Sequence, residues 1–222
     1  MNRYRKSSFI LLSVLAIFML MVFYVRGYSD VIGIYLNNST NSTSIDSGVN
    51  VSNASGGPLY GVFVENDTQD TLGLTVNATI NATATNETGQ SMALGIYGNG
   101  AMDNVQSRPI ELTITGNGII NVYASGNGTG AENGADVLAG GALGNFTNLW
   151  NQGIINVTGV AGNETTYLMV GGIVGLDVNN FTNLGGIYVN GTGGYVNATD
   201  NIPVGVDILS VNYFVNNGTI SL

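Results

Sequence analysis

Apolar and polar side chains alternate along most of this chain in runs of four to eight residues that stop at Gly or Asn-Gly. Val, Ile, Thr and Tyr carry the alternation, and outside Phe9–Val25 no run follows a helical period, which predicts short β-strands throughout. Near the start, Tyr28–Leu36 (YSDVIGIYL) reads as one strand, with Ile32, Ile34 and Leu36 on one face and Val31, Gly33 and Tyr35 on the other. Asn37–Pro58 follows almost without large apolar groups and reads as an extended linker. Three segments result: 1–27, a secretory signal peptide or membrane anchor; 28–58, an N-terminal strand with its linker; and 59–222, an all-β head.

The head repeats. Asn145–Gly159 (NFTNLWNQGIINVTG) matches Asn180–Gly191 (NFTNLGGIYVNG) and is echoed by Asn212–Leu222, each preceded by an apolar, Gly-punctuated strand at Val137–Leu143, Met169–Val178 and Val204–Val211. Ile155, Ile187 and Ile220 recur at about the same spacing, with Ile120 one repeat earlier. Repeats of this length without a helical period predict stacked short strands: a parallel β-helix of three strands per coil and about four or five coils. Each buried aliphatic side chain in it contributes roughly 1.5–3 kcal/mol, and no coil is stable alone. The alternative is a Greek-key β-sandwich, which leaves the repeated Asn-Phe-Thr-Asn element unexplained.

Charge removes several function classes. Asp, Glu, Lys and Arg make up 9% of 222 residues, with 5 basic against 14 acidic. Beyond Gly27 the only basic residue is Arg108, so no stripe exists to neutralise phosphates, and nucleic acid is excluded as a partner. The absence of Cys and His removes thiol and Ser-His-Asp chemistry, disulfides and zinc fingers.

The ends of Phe9–Val25 place the rest of the chain. Arg3, Arg5 and Lys6 precede these 17 residues, apolar but for Ser13, and the run spans about 25 Å as a helix. That is slightly long for a signal peptide and marginal for a bilayer core of about 30 Å; either way the remainder is extracytoplasmic. Asn-x-Ser/Thr sequons agree. Random order would give about five, and seventeen occur, at Asn37, Asn38, Asn41, Asn50, Asn53, Asn66, Asn77, Asn81, Asn86, Asn127, Asn145, Asn156, Asn163, Asn180, Asn190, Asn197 and Asn217. Glycans there would supply the hydration that charges do not.

No catalytic constellation stands out, and neither a cofactor nor a metal is expected. Gly116-Asn-Gly118 and Gly126-Asn-Gly-Thr-Gly130 lack the Gly-Lys-Ser/Thr of a phosphate loop and read as turns needing positive φ. Glu65–Asp70 offers hard oxygen ligands without the order of an EF-hand. Trp150 occupies a repeat position instead of a sugar-cleaving cleft, and Arg108 belongs to a loop before Ile110.

Two features favour assembly. The first strand is separated from the head by a linker long enough to let it leave, and Asn216–Leu222 ends mid-pattern without a polar cap, an edge a second copy could fill. In this organisation of apolar N-terminal segment, tail strand, sequon-rich all-β head and no Cys, the chain resembles the archaeal thread filament subunits. That resemblance implies an extracellular cell-surface filament, a homopolymer in which Val31, Ile32, Ile34, Tyr35 and Leu36 are donated to the next subunit. Asn145–Gly159 and Asn180–Gly191 also resemble the β-helical repeats of bacterial autotransporter adhesins, which implies a surface adhesin or binding module making cell contacts. The chain departs from those adhesins in that no C-terminal membrane barrel is expected from residues 145–222.

Overall fold

The computed structural model describes residues 30–222 apart from 38–39, 55–57, 66–69, 88, 99–107, 128–136, 163–167 and 194–200. Sixteen strands wind into six coils. The first holds β1 Val31–Leu36, β2 Ser42–Ile45 and β3 Val49–Asn53; the second β4 Pro58–Val64, β5 Leu72–Val76 and β6 Thr79–Asn86. β7 Ser91–Gly98, β8 Ile110–Ile114 and β9 Ile119–Gly126 form the third; β10 Val137–Gly144, β11 Phe146–Asn151 and β12 Ile154–Ala161 the fourth. In the fifth and sixth, β13 Leu168–Asn183 and β15 Asn201–Asn216 each run through two strand positions before β14 Gly186–Gly193 and β16 Thr219–Ser221.

Equivalent strands of successive coils pair in parallel. Face 1 is β1, β4, β7, β10 and the first halves of β13 and β15; face 2 is β2, β5, β8, β11 and their second halves; face 3 is β3, β6, β9, β12, β14 and β16. This is the expected parallel β-solenoid and not the sandwich.

There are six coils where four or five were expected, because Ser42–Ile45 and Val49–Asn53, expected in a free linker, are strands of the solenoid. Polar composition hid this. A strand in a coil needs apolar groups on its inner side alone, and Ile45 stacked on Val76 and Val49 stacked on Ile80 suffice in β2 and β3. The first coil thus lies on the second in the register used throughout, with Val31–Leu36 on Leu59–Val64.

The core is a set of columns. On face 3, Val49, Ile80, Ile120, Ile155, Ile187 and Ile220 stack in one line, so the recurring isoleucines of the sequence are in true register. Opposite them on face 1 stands a column of glycines: Gly33, Gly61, Gly95, Gly141, Gly172 and Gly205. A Cβ at Gly61 would lie 2.5 Å from Ile80 Cγ2, and one at Gly141 or Gly172 would lie 2.5 Å from Ile155 or Ile187 Cγ2. Ordinary carbon contacts lie at about 3.5–4.0 Å, so the isoleucines pack directly on glycine backbone and the two faces close on each other here.

Two sequence expectations change in detail. Asn145-Phe-Thr-Asn148 and Asn180-Phe-Thr-Asn183 do not overlie each other; Asn148 pairs Asn180, Leu149 pairs Phe181 and Asn151 pairs Asn183. What repeats in space is Asn-x-Gly-x-Ile, as Asn151, Gly153 and Ile155; Asn183, Gly185 and Ile187; Asn216, Gly218 and Ile220. Asn151 and Asn183 are fully buried at this corner: Asn151 Nδ2 donates to Asn183 Oδ1 at 2.8 Å, and Asn183 Nδ2 donates to Asn216 Oδ1 at 2.8 Å. Asn151 Oδ1 accepts from the Gly153 backbone N–H at 3.1 Å, so the buried side-chain amide is satisfied. Neither Gly116 nor Gly118 has positive φ, which among the described glycines occurs at Gly193 alone (+97°). Gly118 is required for a different reason, because a Cβ there would collide with the Val76 carbonyl.

Candidate functional site

Face 3 turns outward a surface of uncharged groups. Its strands alternate with Ile, Val and Ala inward, which leaves Thr79, Asn81, Thr83 and Thr85 of β6 and their equivalents outside. No outward position of β3, β6, β9, β12, β14 or β16 carries a charged side chain.

Successive coils join these groups into ladders. Asn81 Nδ2 donates to Asn50 Oδ1, Asn121 Nδ2 to Asn81 Oδ1 at 2.8 Å and Asn156 Nδ2 to Asn121 Oδ1 at 2.8 Å, so four amides form one hydrogen-bonded line up the face. Tyr188 continues that column, and Tyr123 stands in the neighbouring column between Thr83 and Thr158. Both rings are exposed. Beside Tyr123 an open cavity of about 530 Å³ is lined by Asn86, Glu87, Ser125, Asn127 and Val160 among others. A flat array of amide and hydroxyl groups around two aromatic rings offers donors, acceptors and stacking surfaces, with no charged side chain on the strands of face 3 and the Glu87 carboxylate just past the end of β6.

The residues singled out from the sequence are scattered. Val31, Ile32, Ile34, Tyr35 and Leu36 lie in β1 on β4, with the Tyr35 ring stacked on Phe63 at 5.7 Å and 10°. Leu36 is buried, while Tyr35 is half-exposed. Of the sequons, Asn50, Asn81, Asn156 and Asn190 are on face 3 and Asn180 is on face 2. Asn53 and Asn86 end β3 and β6, and Asn37, Asn41, Asn77, Asn127, Asn145 and Asn217 lie in the corners between strands. Asn38, Asn66, Asn163 and Asn197, like most of the acidic stretch 65–70, fall outside the described residues. Trp150 is an exposed side chain on face 2.

Arg108 lies in the loop before Ile110, as expected, but its side chain is not on the surface. It is buried, and its guanidinium donates to three backbone carbonyls: Nε to Asp70 at 2.9 Å, Nη1 to Asn37 at 3.1 Å and Nη2 to Thr40 at 2.5 Å. The five-donor fork joins the corner segments of the first three coils. The sequence carried no sign of this, since partners 38 to 71 residues away are set by coil register. Tyr123 and Tyr188 were also missed; aligning Ile120, Ile155 and Ile187 would have shown them pointing outward beside the asparagines.

The fold thus defines the class, a parallel β-solenoid with a charge-free outer face. Neither the protein-family models, nor the curated proteins, nor the solved structures compared with this chain give a match.

Proposed function

We propose that the protein is an extracellular β-solenoid adhesin or binding module that uses face 3 to hold neutral, hydroxyl-rich ligands of the oligosaccharide class. The observation that carries this reading is the outer surface of face 3, where Tyr123 and Tyr188 stand exposed among hydrogen-bonded Asn columns with no charge. Aromatic faces stack on the apolar face of a sugar ring while amides and hydroxyls pair with its hydroxyl groups. The export-type N-terminal segment and the excess of sequons support placement outside the cell, and the scarcity of charge is in keeping with sugars as the hydrating groups. An array of immobilised neutral oligosaccharides tests it. Binding lost in Tyr123→Ala and Tyr188→Ala but kept in Trp150→Ala, whose side chain is on face 2, is expected; binding indifferent to both tyrosines, or none, refutes it.

A second reading is the filament subunit that polymerises by strand donation. The observation favouring it is that the β1–β4 pairing follows the register of every other pair on face 1, so β1 of another copy could make the same contacts in trans. Negative-stain microscopy with and without residues 28–36 tests it, and filaments unaltered by the deletion reject donation.

A further inference from the structure

Face 1 has a second apolar layer on its outer side. Tyr60, Leu94, Tyr97, Leu143, Met169 and Val174 lie there, on the side opposite the core positions Leu59, Ala93, Ala139 and Val170. The Tyr60 and Tyr97 rings stack at 5.1 Å. None of the six belongs to the solenoid core, yet each is 5% exposed or less. The strands touching β7 and β10 are their neighbours in the sheet and those of face 3 across the core, so no described strand covers this outer layer. Buried apolar groups need a cover.

We propose that the outer side of face 1 is the docking surface of the chain's own segment Phe9–Val25, which lies along the solenoid axis with Arg3, Arg5 and Lys6 beside Asp207. Four observations carry this. From the first coil to the sixth the face spans five steps of about 4.8 Å, about 24 Å in all. The 17 residues of the segment span about 25 Å as a helix. The described chain begins at Asp30, next to Val31 and Ile32, which pair Leu59 and Tyr60, so it starts at the first-coil end of this face. Asp207, in register with Val174 at the sixth-coil end, is a buried carboxylate on the same side, and the basic cluster stands just beyond the far end of the segment. The other stretches outside the described residues are short and mostly polar and contain no comparable apolar run.

The segment read as an export signal therefore has two competing partners, the bilayer and this face. Removing it bares an apolar patch that otherwise stays masked. The inference is independent of the ligand reading for face 3.

A chain without Cys allows clean site-directed spin labelling of the full-length protein, produced without export so that the segment is retained. Ser8→Cys paired with Ser210→Cys in the sixth coil is expected to give a short, defined distance, and Ser8→Cys paired with Ile32→Cys in the first coil one roughly 20 Å longer. Similar distances for both pairs overturn the proposal. A short distance that vanishes on dilution with unlabelled chain also overturns it, and assigns the face to a second copy. As a second measurement, deleting residues 1–27 is expected to raise binding of a hydrophobic dye several-fold while strand content stays the same by circular dichroism. Unchanged dye binding overturns the proposal as well.

Discussion

Gly61→Ala and Gly73→Ala are the same chemical change with opposite expected signs. In an unstrained strand, Gly to Ala stabilises by about 0.4–1 kcal/mol, because alanine restricts the unfolded chain more than glycine does. Gly73 meets that condition: it lies in β5, and a Cβ there would first meet Ser42 Cβ at 3.7 Å, an ordinary contact. At Gly61 the added carbon would stand 2.5 Å from Ile80 Cγ2 and 2.6 Å from the Gly95 carbonyl oxygen, about 1 Å inside the usual separation on both sides. One obstacle is backbone of the next coil and the other is a side chain buried in the core, so neither can rotate away. Overpacking of this kind costs about 1–3 kcal/mol, which exceeds the entropic gain. Equilibrium urea denaturation followed by far-ultraviolet circular dichroism should lower the Gly61→Ala midpoint and leave that of Gly73→Ala unchanged or raised. Equal behaviour of the two variants, or a stabilised Gly61→Ala, would refute the account of face 1 packing directly against face 3.

Replacing Arg108 by Met should destabilise by roughly 3 kcal/mol, because the carbonyls of Asn37, Thr40 and Asp70 lose their buried donors; a denaturation midpoint equal to wild type would count against the staple. Burial, reinforced by Asp30 and Tyr97, raises the Tyr60 hydroxyl above its ordinary 10.0. The stability Tyr60 contributes is therefore full below pH 10.0 and is lost as pH rises toward its raised value, while the unfolded chain already ionises there. Thermal melts between pH 9 and 11 should accordingly fall less steeply in Tyr60→Phe, and parallel curves would contradict the assignment. Asn50 and Asn81 lie on adjacent coils about 4.8 Å apart with their amides hydrogen-bonded, which is too close for two glycans side by side. Intact-glycopeptide mass spectrometry should find at most one of the two occupied on any molecule, and double occupancy would show that the ladder opens.

The architecture was legible where the repeat was apolar and invisible where it was polar. Ile120, Ile155, Ile187 and Ile220 lie in one column in the structure, because inward positions of a solenoid are constrained in every coil. Residues 37–53 gave no such signal: an end coil buries one side against one neighbour, and Ile45, Val49 and Val51 are enough for that. The match between Asn145-Phe-Thr-Asn148 and Asn180-Phe-Thr-Asn183 misled by three residues, since outward Asn and Thr recur for surface reasons while register follows Asn-x-Gly-x-Ile at the corner. Outer-surface chemistry such as that of Tyr123 depends on which strands lie side by side, and the staple by Arg108 depends on contacts across coils. Neither is local in sequence.

Stacked coils of such similar composition face a specific hazard, a slip of one whole coil, which would keep most apolar columns intact at small cost. The molecule opposes it with groups that do not repeat along the whole axis. In the first three coils these are Arg108, which finds its three carbonyls only in the native stacking, and the Tyr35, Phe63 and Tyr97 column of rings. In the last three coils they are the corner amides of Asn151 and Asn183, both buried, and of Asn216, which is exposed in the end coil. Slipping the last coils would place a corner Asn against Ile114 or Val76, the residues of that column in the third and second coils, and leave a buried amide without its partner at about 1–3 kcal/mol. Register is thereby set by polar groups, although the apolar columns supply most of the stabilisation. Asn183→Leu should therefore keep the coil structure and overall stability better than it keeps a single register, which hydrogen exchange of the face 3 amides reads as a second, more slowly protected population.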